Sequence, residues 1–105
     1  MPFDGTTLNG TAVLLLSARQ YIVENGWVQD EIMDEAGAVC AVGALRQVGC
    51  GSPHFEDAII ALGGVVGIEI PTRYCGGLIG FWNDDPARTV SEILDAFDRA
   101  AAKFS

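Results

Sequence analysis

Trp82-Asn83-Asp84-Asp85-Pro86-Ala87-Arg88-Thr89-Val90-Ser91-Glu92 places an aromatic anchor, a turn, an arginine and a helix start within eleven residues. Asn83 and Asp84 can bond their own backbone two residues on, and Pro86 fixes φ, so the chain is expected to turn sharply from Asn83 to Ala87. Thr89 followed by Glu92 has the spacing of a capping box, in which hydroxyl and carboxylate satisfy each other's backbone N–H groups. Beyond it, Val90, Ile93, Leu94, Phe97, Ala101 and Phe104 form one apolar helical stripe. Glu92 and Asp95 early in this helix, and Arg99 and Lys103 late in it, suit the helix dipole.

Towards the amino terminus, Asn9 or Thr11 can cap a first helix that runs to about Glu24, with an apolar arc wide enough to be buried on more than one side. Asn25-Gly26 supplies the left-handed residue that ends it. Trp27–Met33 reads as a strand, Asp34-Glu35-Ala36-Gly37 as a type I turn and Ala38–Cys40 as a short return strand. Ala41, Ala44, Leu45 and Val48 have helical spacing, and Gly43 would let a neighbouring backbone approach. A third long helix is expected from Pro53 or His54, capped by Ser52, with a stripe of Phe55, Ala58, Ile59, Leu62 and Val66. Residues 71–88 are glycine-rich and show no helical period, so they read as a long loop. The expected fold class is α+β: three main amphipathic helices, a short packed helix and a small β-hairpin in one domain spanning residues 1–105.

Composition narrows the function classes. The 105 residues carry fourteen acids against six lysines and arginines, a net charge of −8. Gripping nucleic acid or an anionic lipid surface needs cationic surface, so neither is an expected partner. Met1-Pro2-Phe3-Asp4 lacks a basic region ahead of an apolar stretch, and no apolar run is long enough to cross a bilayer. The expectation is a cytoplasmic protein without a membrane segment, and Asp4 to Gly10 reads as a polar lead-in.

Three cysteines, Cys40, Cys50 and Cys75, make a poor disulfide framework. Zinc would need all three together with His54, the one histidine, and the spacing lacks the usual two-residue knuckle. No metal site and no cofactor are expected, and the cysteines read as small buried hydrophobes.

The combination of Asn25-Gly26-Trp27, Cys40-Ala41-Val42-Gly43-Ala44-Leu45 and Trp82-Asn83-Asp84 through Arg88-Thr89 and Glu92 resembles a family of small, functionally uncharacterised proteins of actinobacteria and their phages. The resemblance runs in order from about Leu14 to Ala101. It implies a phage or prophage context and carries no activity.

Three functional readings follow from the residues. A cysteine hydrolase would use Cys40 at a helix start, His54 as base and Asn83 or Asp84 to orient it. A recognition site would use Trp82, Asn83, Asp84 and Arg88, although the same residues can simply plug the core, shape the turn and pair with Asp84 or Asp85. An interaction surface would use Tyr74, Leu78, Ile79 and Phe81, apolar residues costly to leave wet as one patch. The expected function is non-catalytic binding of a protein partner, or self-association, through Tyr74, Leu78, Ile79, Phe81, Trp82, Asn83, Asp84 and Arg88. The cysteine-dependent hydrolase is the alternative.

Overall fold

The computed structural model describes residues 9–104; residues 4–8 of the expected lead-in lie outside them, and its last two residues, Asn9 and Gly10, are the cap and first residue of a helix. Five helices follow one another: α1 (Gly10–Asn25), α2 (Ala41–Gly49), α3 (Phe55–Val65), α4 (Gly76–Asn83) and α5 (Val90–Ala102). Helices α1, α2, α3 and α5 pack together, and α4 lies against α2 and α3. They share one apolar core whose fully buried members include Leu15, Ile22, Leu45, Leu62, Ile79, Ile93 and Phe97.

The helix ends follow local chemistry. Asn9 caps α1, its Oδ1 accepting from Thr11 N–H at 2.7 Å. Gly26 ends it at φ +99°, a conformation that glycine adopts without a Cβ clash. Both halves of the Thr89–Glu92 capping box are present at the start of α5. Arg19 on α1 lies 2.8 Å from Asp98 on α5, a partly exposed charge pair worth at most about 1 kcal/mol.

The α+β expectation is overturned: the described residues contain no β-strand, sheet or hairpin. Residues 27–40 form an irregular loop with two isolated bridges, Trp27 with Val39 and Met33 with Val39. Each bridge stands alone with no neighbouring pair to continue it, so neither is part of a ladder. The turn itself is real. Asp34 Oδ1 accepts from the N–H groups of Ala36 and Ala38, and Gly37 N–H donates to Asp34 O. Residues 28–30 instead bond to the end of α4 and to Val39, and Ile32 lies against α2. The Ile32 carbonyl accepts the Cys40 N–H at 3.1 Å and sits where a Cβ on Gly43 would be. The close backbone approach expected at Gly43 is therefore supplied by Ile32.

Two further boundaries differ. Helix α3 begins at Phe55, because Ser52 closes a separate turn by accepting from His54 N–H on Oγ and from Phe55 N–H on its carbonyl. The segment read as a loop at 71–88 contains helix α4. Thr72 closes the turn that leads into it, its carbonyl accepting from Cys75 N–H and its Oγ1 from Tyr74 N–H, and Cys75 caps the helix without a side-chain hydrogen bond.

Gly43→Ala must push the Ile32 backbone off α2, and urea denaturation should show a loss of about 1–3 kcal/mol. An unchanged midpoint would mean that the loop moves freely. The carboxyl group of Glu92 is held below the usual glutamate range, chiefly by the hydrogen bond from Thr89 N–H and with help from Arg88. A depressed folded-state pKa contributes stability that is present above the unfolded value and is lost as pH falls through the folded value. Glu92→Gln should therefore be less stable than wild type at neutral pH, and acid titration of the two denaturation midpoints should show the gap closing as pH falls through the lowered folded-state value of Glu92.

Candidate functional site

The buried residue that organises the segment around α4 is Asn83, at 0% exposure. Its Oδ1 accepts from Trp27 Nε1 at 2.8 Å and from the Ala41 N–H at the start of α2 at 3.0 Å. Its Nδ2 donates to the Val28 carbonyl at 3.2 Å and to Asp84 Oδ1 at 2.9 Å. An amide has two donors and two acceptor positions, so Asn83 is fully satisfied. Around it, Gln29 Nε2 donates to the carbonyls of Asn83 and Asp85, and Asp30 N–H donates to Asp84 Oδ1. Asp30 takes φ +69° to make that contact.

Arg88 is absorbed in the same way. Its guanidinium lies 4.3 Å over the Trp82 ring, its Nε donates to the Trp82 carbonyl at 2.9 Å, and it pairs with Glu92 at 3.1 Å. Asp85 stands 3.8 Å away. The recognition set Trp82, Asn83, Asp84 and Arg88 is thus brought together, with its polar groups spent on backbone and side-chain partners within the protein itself.

The hydrolase set is not brought together. Cys40 caps α2, its Sγ accepting from Gly43 N–H at 3.3 Å. His54 is exposed and its ring lies over Gly10 at the start of α1. No hydrogen bond joins Cys40 to His54 among the described residues, and Asn83 is committed elsewhere. Cys75 is buried, its thiol directed at the Ile59 carbonyl at 3.7 Å, and Cys50 is exposed. Among the described residues no group of three His, Cys, Asp or Glu side chains is placed to hold a metal ion.

The interaction set divides by helix face. Ile79 is fully buried, whereas Tyr74 (77%), Phe81 (78%) and Leu78 (55%) are exposed. Beside them runs an open groove of about 520 Å³, absent from the sequence reading. Val42 on α2, Phe55 and Ile59 on α3, Ile32 of the loop and Gly76, Gly77 and Gly80 on α4 line its apolar part. Tyr74 stands at its edge, and Phe81 follows Gly77 by one helical turn. A side chain grown from Gly77 or Gly80 meets no atom within 4 Å, so bare helix backbone faces the opening. The signal available in the sequence was the i, i+1, i+4 spacing of Gly76, Gly77 and Gly80, legible only once α4 is a helix.

The model of a family described as "Family of unknown function (DUF6197)" matches residues 6–103, and the chain belongs to that family. No curated protein and no solved structure matches the chain. No helix among the described residues is long and apolar enough to cross a membrane.

Asn83→Ala leaves the Trp27 and Ala41 donors and the Val28 acceptor unpaired in a partly or wholly buried site. Each such group costs about 1–3 kcal/mol, so the variant should lose about 3 kcal/mol or more on chemical denaturation. A loss below about 1 kcal/mol would show that water replaces the amide at little cost.

Proposed function

We propose that this is a non-catalytic protein that binds a protein partner through the groove between α2, α3 and α4. One observation carries the reading: bare backbone at Gly77 and Gly80 faces open space, with the exposed ring of Tyr74 at the groove's edge and the exposed Phe81 directly after Gly80 on α4. Exposed aromatics around a concave apolar floor are what partner surfaces use as anchors. Tyr74 and Phe81 keep the anchor role expected of them, and Leu78 extends the apolar patch along α4. Ile79 acts as the core residue that fixes the helix. Trp82, Asn83, Asp84 and Arg88 contribute by holding the end of α4 in place, with Asp84 alone of these on the groove wall.

The setting we propose is a phage-associated or accessory protein of the actinobacterial cytoplasm. The resemblance of its Cys-Ala-Val-Gly-Ala-Leu and Trp-Asn-Asp segments supports this, together with the acidic charge balance.

The test fills the groove without touching the core. Gly77→Leu with Gly80→Leu adds side chains into open space and raises helix propensity by roughly 0.8 kcal/mol at each position. The variant should melt at or above the wild-type temperature. A protein retained from an actinobacterial lysate by wild type should be lost both by this variant and by Tyr74→Ser with Phe81→Ser. Sedimentation of the same three proteins would show whether the lost partner is a second copy. Identical retained sets and identical sedimentation would remove the groove from consideration.

A further inference from the structure

We infer that the partner presents an α-helix that lies antiparallel to α4, with cationic side chains at its amino-terminal end and carboxylates at its carboxyl-terminal end. The inference rests on the groove reading above and adds the chemistry of what fills it.

The groove has unlike ends. At the carboxyl end of α4 its wall carries Asp84, Asp30 and Glu31. Asp30 is fastened to this end by its N–H bond to Asp84 Oδ1 at 2.9 Å. At the amino end the wall carries Arg73, in the turn before α4. Its guanidinium lies 4.8 Å over the Tyr74 ring, and it reaches Glu56 at the start of α3 only at 3.7 Å. Val42 stands opposite Gly76 at the start of α4, and Arg46 follows Val42 by one turn of α2 and lines the same groove. Among the described residues Arg46 makes no ion pair. Between these ends the lining is Val42, Ile32, Phe55, Ile59 and the glycine backbone.

An apolar trough with carboxylates at one end and guanidinium groups at the other is complementary to a segment charged in the opposite order. A helix meets this better than an extended strand. The walls are mainly helices whose backbone groups are already paired, and they offer no edge for strand addition. The absence of side chains at Gly77 and Gly80 lets a helix approach closely, as a flat wall of larger residues would not. The helix dipole sets the direction, because the positive amino end of the docked helix then lies beside Asp84, Asp30 and Glu31. The eight residues of α4 span about 12 Å, so the contact covers roughly two turns of the partner, read as anchors at i, i+3, i+4 and i+7.

The experiment is selection from a displayed library of alanine-based helical peptides of about fourteen residues, long enough to form the two-turn contact. Wild type is the target, and the Gly77→Leu, Gly80→Leu variant is used for counter-selection. Enriched peptides should carry apolar residues at helical spacing, Lys or Arg in the first turn and Asp or Glu in the last. Arg46→Glu with Arg73→Glu, both at exposed positions, should reverse the preference in the last turn alone. It should weaken acid-ended peptides by about tenfold or more. Enriched peptides that lack helical spacing or charge polarity, or whose polarity survives the arginine reversal, would overturn this inference and leave the groove as a binding site. A library that yields nothing distinguishing wild type from the filled variant would overturn the groove reading itself, and this inference with it.

Discussion

The buried amide of Asn83 is the constraint on which the rest of the arrangement depends. A polar side chain with no exposure is tolerated only when every donor and acceptor has a partner. The four partners of Asn83 come from the loop after α1, the first turn of α2 and the residue that ends α4. Satisfying one amide therefore fixes the relative position of three segments far apart in sequence. An apolar residue of similar size would leave the Ala41 N–H, an unpaired donor of a helix start, without this partner. The price of the polar site is repaid in register.

The rest of the Trp82–Glu92 segment extends that constraint into α5. Trp82 is held on one side by the core and on the other by the Arg88 guanidinium. Arg88 also reaches Glu92, and Glu92 closes the capping box on Thr89. A single relay of contacts thus runs from the core through the turn into the first turn of the last helix. Individually these surface contacts are worth little. Together they set the angle at which α5 leaves the turn, and α5 packs on both α1 and α3. The polar residues that look most like a recognition site are therefore the ones most occupied internally.

Helices α1, α2 and α5 and the caps at Asn9 and Thr89 were legible in the sequence because each rests on short-range chemistry: a stripe, a cap or a stop. Gly43 was legible for the same reason, since a glycine inside a packed helix implies a close neighbour. The hairpin misled because Trp27–Met33 has strand-forming residues but no partner ladder. Its backbone groups are taken by Asn83, Asp84 and Val39 instead. Helix α4 was hidden because its inward stripe is Cys75, Ile79 and Asn83, a thiol, an aliphatic and an amide, which no hydrophobic count joins together. Its glycines argue locally against a helix, and the helix forms because long-range packing and the Asn83 bonds override propensity. The groove was illegible for the same reason: its glycine face exists only in a helix that local signals denied.

Within the helices of the described residues, two kinds of glycine contrast. At Gly43, Gly49 and Gly63 an added Cβ would strike Ile32, Leu14 or Cys75, so internal packing requires the absence of a side chain. At Gly77 and Gly80 an added Cβ meets nothing, and neither residue takes a positive φ. There the fold gains nothing from glycine and loses roughly 0.8–1 kcal/mol of helix propensity at each position relative to alanine. A short helix with so small an internal reason for its glycines carries a net cost within its own fold. A neighbour outside the fold that needs close access to the backbone of α4 gives that cost a physical purpose.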